Sequence, residues 1–188
     1  MNLARVVAAC CALSLHRLVH LAPHAYDRDP TDTVAVNGVP KTFMHNVLFV
    51  VIDACALVYQ MAQSAPIDLA DVLLVAIMIL SVALRYWCYH KLGRLFTYTI
   101  LVKPNHELVR DGPYTLLLHP SYTAQVGVMC CYLLFMFRWK TLFWLPLIAY
   151  VLHKLGQRMR IEEDHLSRLL PAYDAYKQER WRLIPFVY

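Results

Sequence analysis

Charged residues are scarce in this sequence. Asp, Glu, Lys and Arg make up 16% of the 188 residues, against ~25% in an average soluble domain, and only five residues are glycine. Hydrophobic residues make up 59%, against roughly 45–50% in an average domain. Low charge with high hydrophobicity excludes intrinsic disorder, and the few glycines exclude collagen-like or Gly/Ser linker sequences. The composition is that of a membrane protein.

Motifs for metals, disulfide frameworks and nucleotide folds are also missing. The six cysteines, at positions 10, 11, 55, 88, 130 and 131, contain no C-x-x-C pair, which excludes a zinc spacing and predicts buried free thiols. The nine histidines form no H-E-x-x-H motif, so we expect no metal site. The five glycines form neither G-x-G nor a P-loop, so a nucleotide-like cofactor has to bind without a Rossmann sheet.

Five apolar segments are candidates for membrane spans, since a spanning helix needs ~20 mostly apolar residues and fewer in a tight hairpin. They cover residues 3–21, 43–61, 69–89, 122–137 and 141–153. The first contains Arg5, His16, Arg17 and His20, which leaves open a span, an interfacial helix or a signal-like start. It has no convincing cleavage site, so we expect it in the mature protein. The last two predict a helical hairpin, because only residues 138–140 separate them.

The distribution of Lys and Arg predicts the topology. Residues 90–118 carry four of these cations and the tail after residue 153 carries seven, and the hairpin places both segments on one side. Cytoplasmic loops are enriched in Lys and Arg, so both segments are expected to face the cytosol. In so apolar a chain, the net charge of +5 therefore indicates how the protein is oriented in the membrane. We expect no nucleic-acid partner.

These patterns predict an all-α, polytopic membrane protein with about five transmembrane helices. It would include the C-terminal helical hairpin, a cytosolic loop and an amphipathic tail helix. Within residues 157–176, apolar side chains recur at helical spacing with charges between them. We expect this tail to continue the last membrane helix into the cytosol or along the interface.

Two polar stretches are candidates for chemistry. In residues 103–114 and 119–122, an Asp-Gly-Pro turn signal is followed by Tyr and His side chains that a ligand can contact. The alternative is a capped connector whose histidines are solvated or form hydrogen bonds with the backbone. In the second stretch, Arg158 and Glu162 share a helix face, either as an ordinary solvated pair or directed at a substrate. Their position directly after a membrane helix favours a functional role.

The order of the motifs resembles the isoprenylcysteine carboxyl methyltransferase family of integral membrane enzymes. The resemblance runs from about residue 85 to the C-terminus. It rests on the successive motifs H-E-L-V-R-D-G-P-Y at 106–114, H-P-S-Y at 119–122, the hairpin, Arg158 with Glu162 and Glu163, Tyr173 and Tyr176, and R-L-I-P-F at 182–186. The sequence departs from the family pattern at Leu118, where Arg is usual, at Ala124, where Gly is usual, and at residues 170–172.

The resemblance implies binding of S-adenosylmethionine and transfer of its methyl group to a lipid-borne acceptor. It divides the chain into N-terminal membrane helices, residues 1–84, and a methyltransferase core, residues 85–188. In this interpretation Arg158 and Glu162 are catalytic and lie near the acceptor. The implied cofactor-binding residues are His106, Leu108, Val109, Gly112, Tyr114, His119, Tyr122 and Glu163.

The implied partners are membrane lipids and a lipid-modified substrate, prenylcysteine, or a phospholipid. The resemblance implies an integral membrane protein whose active site faces the cytosol. If the protein is eukaryotic, the implied membrane is that of the endoplasmic reticulum. A phospholipid N-methyltransferase is an alternative, because that related group has similar tail carboxylates. A non-enzymatic scaffold or a haem protein that uses His16, His20, His45 or His153 is an alternative of another class.

Overall fold

The computed structural model describes residues 2–19, 33–34, 43–63, 65–96, 101–102 and 108–186, and the predicted cofactor residue His106 lies outside these ranges. The described chain is helical apart from one short strand pair. The helices are α1 (Leu3–Leu18), α2 (Phe43–Ala62), α3 (Leu69–Leu92), α4 (Pro120–Phe137), α5 (Leu145–Leu169) and α6 (Tyr173–Gln178). Strands β1 (Thr33–Val34) and β2 (Leu101–Val102) pair antiparallel, with Thr33 opposite Val102.

Two of the described helices, α3 and α4, are long and apolar enough to cross a membrane. A shorter apolar helical stretch covers Val51–Ala62 within α2. On α3, Leu73 and Leu80 are exposed, as expected for side chains that face lipid tails. The all-helical class is therefore confirmed, and the larger number of about five spans stays a prediction.

The turn between α4 and α5 is longer than the sequence predicted. Residues Arg138–Trp144 form a 3-10 helix, so α5 begins at Leu145 rather than at residue 141. Arg138 starts this turn in the left-handed region, with φ of 53°. Its guanidinium lies 2.9 Å from the carboxylates of Asp68 and Asp71, and these ion pairs stabilise the longer turn. From Leu145 the helix continues without a break to Leu169, so residues 157–169 of the predicted tail extend the preceding helix. The rest of the predicted tail helix is wrong, because α5 ends at Leu169 and the separate helix α6 begins at Tyr173.

The chain forms two compact units. Unit 1 comprises Met1–Leu21, Lys41–Ala83 and Ala124–Pro146, and unit 2 comprises Ala22–Pro40, Leu84–Thr123 and Leu147–Tyr188. One segment of unit 1 ends at Ala83, one residue before the predicted division after residue 84, and residues 124–146, which the prediction assigned to the core, belong to unit 1. The division into domains 1–84 and 85–188 stays a prediction.

In unit 1, buried polar contacts attach α1 to its neighbours. Arg5 is 2% exposed, and its guanidinium donates to the Asp71 carboxylate at 2.9 Å and to the Gln60 side chain at 3.3 Å. Near the other end of the helix, the His16 ring stacks on Tyr132 at 4.4 Å. Tyr132 in turn donates to Asp53 at 2.8 Å. A helix held by such contacts at both ends is a packed part of the unit, and whether it spans the membrane stays a prediction.

The cysteines only partly follow the sequence expectation. All six are free thiols, and Cys88 and Cys131 are buried. Cys10, Cys11 and Cys55 are exposed, so the prediction of buried thiols is wrong for these three. The thiol behaves as a small hydrophobic group and is therefore tolerated on an apolar helix surface.

In unit 2 the C-terminal tail folds back on the segment that precedes α4. The amide of Leu118 donates to the carbonyl of Trp181 at 2.8 Å, and the amide of His119 donates to the carbonyl of Arg182 at 3.0 Å. Leu118 also forms a hydrophobic core with Tyr173 and Tyr176. Two independent interactions, a strand-like pairing and a buried apolar cluster, thus bring the polar loop and the tail together.

Candidate functional site

The predicted Asp-Gly-Pro turn forms a 3-10 helix over Gly112–Thr115. Gly112 has φ of +61°, a region that side chains with a Cβ rarely adopt. A Cβ built there would lie 3.1 Å from a side-chain carbon of Lys91 and 3.3 Å from the indole nitrogen of Trp87. The ammonium of Lys91 also pairs with Asp111. Glycine is therefore required by both the backbone conformation and the close approach of α3.

Gly112→Ala is expected to destabilise the protein by about 1–3 kcal/mol, because it introduces a strained left-handed residue. Gly156→Ala is the matched control, since a Cβ at Gly156 would meet nothing within 4 Å in the middle of α5. This control should be neutral or stabilising, as alanine favours helix more than glycine does. Thermal unfolding in detergent measures both variants. Equal melting temperatures for the two would contradict the proposed strain.

The turn holds Tyr114 and the loop carbonyls against the tail. The hydroxyl of Tyr176 donates to the backbone carbonyl of Tyr114 at 2.6 Å, and the guanidinium of Arg110 donates to the carbonyl of Ala172 at 3.2 Å. Burial raises the pKa of Tyr176 to about 12, and burial raises the pKa of Tyr114 further still. Both phenols therefore stay neutral. Of the other predicted loop residues, Leu108 packs on the core of unit 2, and Val109 is half-buried.

Glu163 is the centre of an ion-pair cluster. Its side chain is 1% exposed, and its carboxylate lies 3.1 Å from His119 Nε2, 2.7 Å from Lys177 Nζ and 3.0 Å from Arg182 Nη2. Burial alone would raise the pKa of Glu163, but the hydrogen bonds from His119 and Lys177 and the charge of Arg182 outweigh it and lower the pKa to about 2. The ionised carboxylate thus joins the start of α4 to α6 and to the end of the tail.

Tyr122 connects the two predicted catalytic residues. Arg158 Nε donates to the Tyr122 hydroxyl at 2.8 Å, and this hydroxyl donates to Glu162 Oε2 at 2.9 Å. The His119 ring stacks on the Tyr122 ring, with 5.4 Å between their centres. The Arg158–Tyr122–Glu162 cluster is therefore continuous with the ion-pair cluster of Glu163 through His119.

An open cavity of about 610 Å³ lies beside the ion-pair cluster of Glu163. It is lined by Leu118, Asp174, Lys177, Gln178, Arg180, Trp181 and Arg182. Two of these residues, Lys177 and Arg182, are partners of Glu163. The lining combines cations, one carboxylate and an indole ring, which is suitable for a ligand that carries a carboxylate, an ammonium group and an aromatic base.

The structure brings together much of what the sequence predicted, and it adds residues from the tail. His119, Tyr122, Glu163, Arg158 and Glu162 form one network of contacts. Sequence reasoning missed the cluster of Lys177, Arg182, Asp174 and Trp181. The available signal was the R-L-I-P-F motif at 182–186, which begins with one of the Glu163 partners. The tail cations were counted for topology and not tested as partners for the buried carboxylate.

Comparisons with known proteins agree with the motif order. Residues 73–168, just over half of the chain, match the profile of the Isoprenylcysteine carboxyl methyltransferase (ICMT) family. A segment of 53 residues is 43% identical to the Uncharacterized protein YpbQ of Bacillus subtilis (strain 168). This segment covers 28% of this chain and 32% of that protein, so the similarity spans about a third of the relative's length.

Proposed function

Because the chain belongs to the isoprenylcysteine carboxyl methyltransferase family, we propose that it methylates a carboxylate on a lipid-borne acceptor with S-adenosylmethionine. The family is one of membrane methyltransferases, and the described chain has two helices suited to a membrane. The acceptor we propose is the C-terminal carboxylate of a prenylated cysteine or a similar lipid. The observation that carries the proposal is the Arg158–Tyr122–Glu162 cluster, which holds a guanidinium beside the proposed cofactor site.

The cofactor would be held by the loop and the tail together. S-adenosylmethionine supplies an electrophilic methyl group on a sulfonium. The cavity fits its other groups: Arg180 suits its carboxylate, Asp174 its ammonium group, and Trp181 its purine ring. We keep the loop residues His106, Leu108, Val109, Gly112, Tyr114, His119 and Tyr122 as proposed cofactor-binding residues. Glu163 would act mainly by positioning His119 and the tail, because its oxygens already face three partners.

The acceptor chemistry depends on orientation more than on acid–base catalysis. A carboxylate is already a nucleophile at neutral pH, so no strong base is required, and most of the gain comes from alignment and exclusion of water. Arg158 would direct the acceptor oxygen, and Tyr122 keeps Arg158 in place. In the alternative reaction, methylation of a phospholipid amine, Glu162 would be the proton acceptor.

A methyl-transfer assay with labelled S-adenosylmethionine tests the proposal. Liposomes that contain the protein receive either N-acetyl-S-farnesylcysteine or phosphatidylethanolamine as acceptor. We expect label in the farnesylcysteine product as a base-labile methyl ester. Label in the phospholipid alone would replace our proposal by the N-methyltransferase alternative, and label in neither would contradict both.

The cofactor site is tested separately by binding. His119→Ala and Tyr114→Ala should each weaken S-adenosylmethionine binding about tenfold or more, because each removes a buried contact of the loop. His165→Ala, a partly buried histidine on α5, is the matched control and should bind normally. Isothermal titration calorimetry in detergent measures the affinities. Wild-type affinity in both loop variants would remove the loop from the site.

The cytosolic orientation is tested by labelling single cysteines in a background without the six native ones. Arg110 and Gln178 are exposed in the loop and the tail, and the Arg110 bond to Ala172 draws the two together. Cysteines at 110 and 178 should react with an impermeant maleimide from the same, cytosolic, side of sealed vesicles. A cysteine at Ile67, which precedes the candidate span α3, should react from the other side. Labelling of 110 and 178 from opposite sides would overturn this topology.

A further inference from the structure

Arg85 is a buried cation without an acidic partner among the residues that the structure describes. It lies on α3 and is 4% exposed. One guanidinium nitrogen donates to the carbonyl and to the hydroxyl oxygen of Ser121, both at 2.8 Å, and the group lies over the Tyr89 ring at 5.1 Å. Its Nε is buried and has no hydrogen-bond acceptor among the described residues. All of these partners are neutral, so no carboxylate in the described part of the chain pairs with this positive charge.

The charge of Arg85 lies at the N-terminal end of a helix, where a cation is unfavourable. Ser121 is the second residue of α4, an 18-residue helix that starts at Pro120. A helix N-terminus carries a partial positive charge, which favours anions and disfavours cations. A buried guanidinium at that end is therefore costly unless an anion joins it. The two features, the helix end and the unpaired Arg85, independently point to the same kind of ligand.

Arg158 is in a different electrostatic situation. The carboxylate of Glu162, on the other side of the Tyr122 hydroxyl, offsets the charge of Arg158. Arg158 can therefore orient an acceptor, but the pair adds little net positive charge to the site. Arg85 donates a hydrogen bond to Ser121, which directly precedes Tyr122. Arg85 therefore lies beside the Arg158–Tyr122–Glu162 cluster. Arg85 is thus a source of positive charge next to the proposed acceptor site, and it forms an ion pair with none of the carboxylates in the described ranges.

We propose that Arg85 and Ser121 at the start of α4 form an anion subsite that binds an oxyanion of the lipid-borne acceptor. In this subsite Arg85 Nε and the Ser121 hydroxyl donate to the oxyanion, and burial from water strengthens both bonds. The subsite rests on the proposed function for the identity of the acceptor. Its chemistry suits the carboxylate of a prenylated cysteine, and it equally suits the phosphate of a phospholipid.

The experiment compares a charged probe with its neutral analogue. N-acetyl-S-farnesylcysteine and its carboxamide are titrated into the detergent-solubilised protein without S-adenosylmethionine, so binding is read independently of methylation. Wild type should bind the acid at least tenfold more tightly than the amide, in line with a charge-assisted hydrogen bond. Arg85→Gln should lose most of this preference and retain only the part that Arg158 supplies, and its affinity for S-adenosylmethionine should be unchanged.

Further variants keep the result interpretable if Arg85→Gln folds poorly. Ser121→Ala retains the arginine and removes only the hydroxyl, and it should lower the acid preference by a smaller factor. Arg160→Gln removes an exposed cation from the same unit and should retain the full preference. An acid preference as large as that of wild type in both Arg85→Gln and Ser121→Ala would overturn the subsite.

A phospholipid arm distinguishes the source of the oxyanion. Phosphatidylethanolamine in nanodiscs is titrated into the same variants. Arg85-dependent binding of the phospholipid, without an acid preference for farnesylcysteine, would support the subsite and assign it to a phosphate. If the acid preference depended on Arg85 but the protein methylated neither acceptor, the subsite would stand and the proposed function would be contradicted. If replacing Arg85 changed the binding of neither probe, the subsite would be overturned, and the proposed function would stand.

Discussion

Replacing Arg158 by alanine is expected to lower the rate of methyl transfer at saturating S-adenosylmethionine by roughly 10- to 150-fold, since a hydrogen bond to a charged group contributes about 1.5–3 kcal/mol. The substitution removes the cation that directs the acceptor carboxylate. It also leaves the Tyr122 hydroxyl without its donor, 2.8 Å away in the native site. Glu162→Gln should cost less, because the neutral amide can still accept from Tyr122.

A variant of Tyr122 separates the orientation of Arg158 from its charge. Tyr122→Phe removes only the hydroxyl that lies between Arg158 and Glu162. Both charges remain, so we expect an intermediate loss of about tenfold, appropriate for ordinary hydrogen bonds. A rate for Tyr122→Phe equal to that of Arg158→Ala would mean that the cluster works only as a unit.

The pH profile decides between the two classes of acceptor. A carboxylate is ionised above about pH 5, so the wild-type rate should change little between pH 5.5 and 9. An amine has to lose a proton, so its methylation should rise with pH and depend strongly on Glu162. Initial rates of wild type, Arg158→Ala and Glu162→Gln across this range are the measurement. A steep rise in wild type, with Glu162→Gln the more damaged variant, would favour the phospholipid amine.

Glu163→Gln is expected to release the C-terminal tail and to destabilise the protein by about 3–5 kcal/mol, the usual cost of breaking a buried ion pair. His119, Lys177 and Arg182 would lose their shared carboxylate at distances of 3.1, 2.7 and 3.0 Å. Since Lys177 and Arg182 also line the cavity, S-adenosylmethionine affinity should fall together with the melting temperature. Asp164→Asn, an exposed neighbour on the same helix, is the matched control and should change neither.

The same carboxylate predicts an acid-dependent loss of stability. Its pKa in the folded protein is lowered from the ordinary 4.5 to about 2 against the effect of burial, because His119 and Lys177 form hydrogen bonds to it and Arg182 lies beside it. A lowered pKa contributes stability that is complete above the ordinary value and is lost as pH falls towards the folded value. The melting temperature of wild type should therefore decline from pH 5 to pH 2.5 more than that of Glu163→Gln. Parallel curves for the two proteins would show that Glu163 is not the titrating group.

The sequence by itself determined the helical class and the positions of most helices. Apolar runs bounded by polar turns predicted α2 and α3 to within a few residues, because hydrophobic periodicity and length are local properties. The Asp-Gly-Pro signal predicted the turn at Gly112 for the same reason. The order of motifs was also sufficient to suggest the family that the profile match then showed.

Only the tertiary structure decided which polar groups meet. The spacing of Arg158 and Glu162 predicted a shared helix face, but it did not predict that Tyr122, 36 residues from Arg158, supplies the hydroxyl between them. Likewise the sequence does not show which of the tail cations pair with Glu163, and only the structure identifies Lys177 and Arg182. Such pairings depend on long-range packing and on the cost of burying each charge, and neither is encoded in local spacing. For the same reason the sequence contains no sign that Arg85, near the end of an apolar segment, is buried and has no acidic partner among the residues whose structure is described.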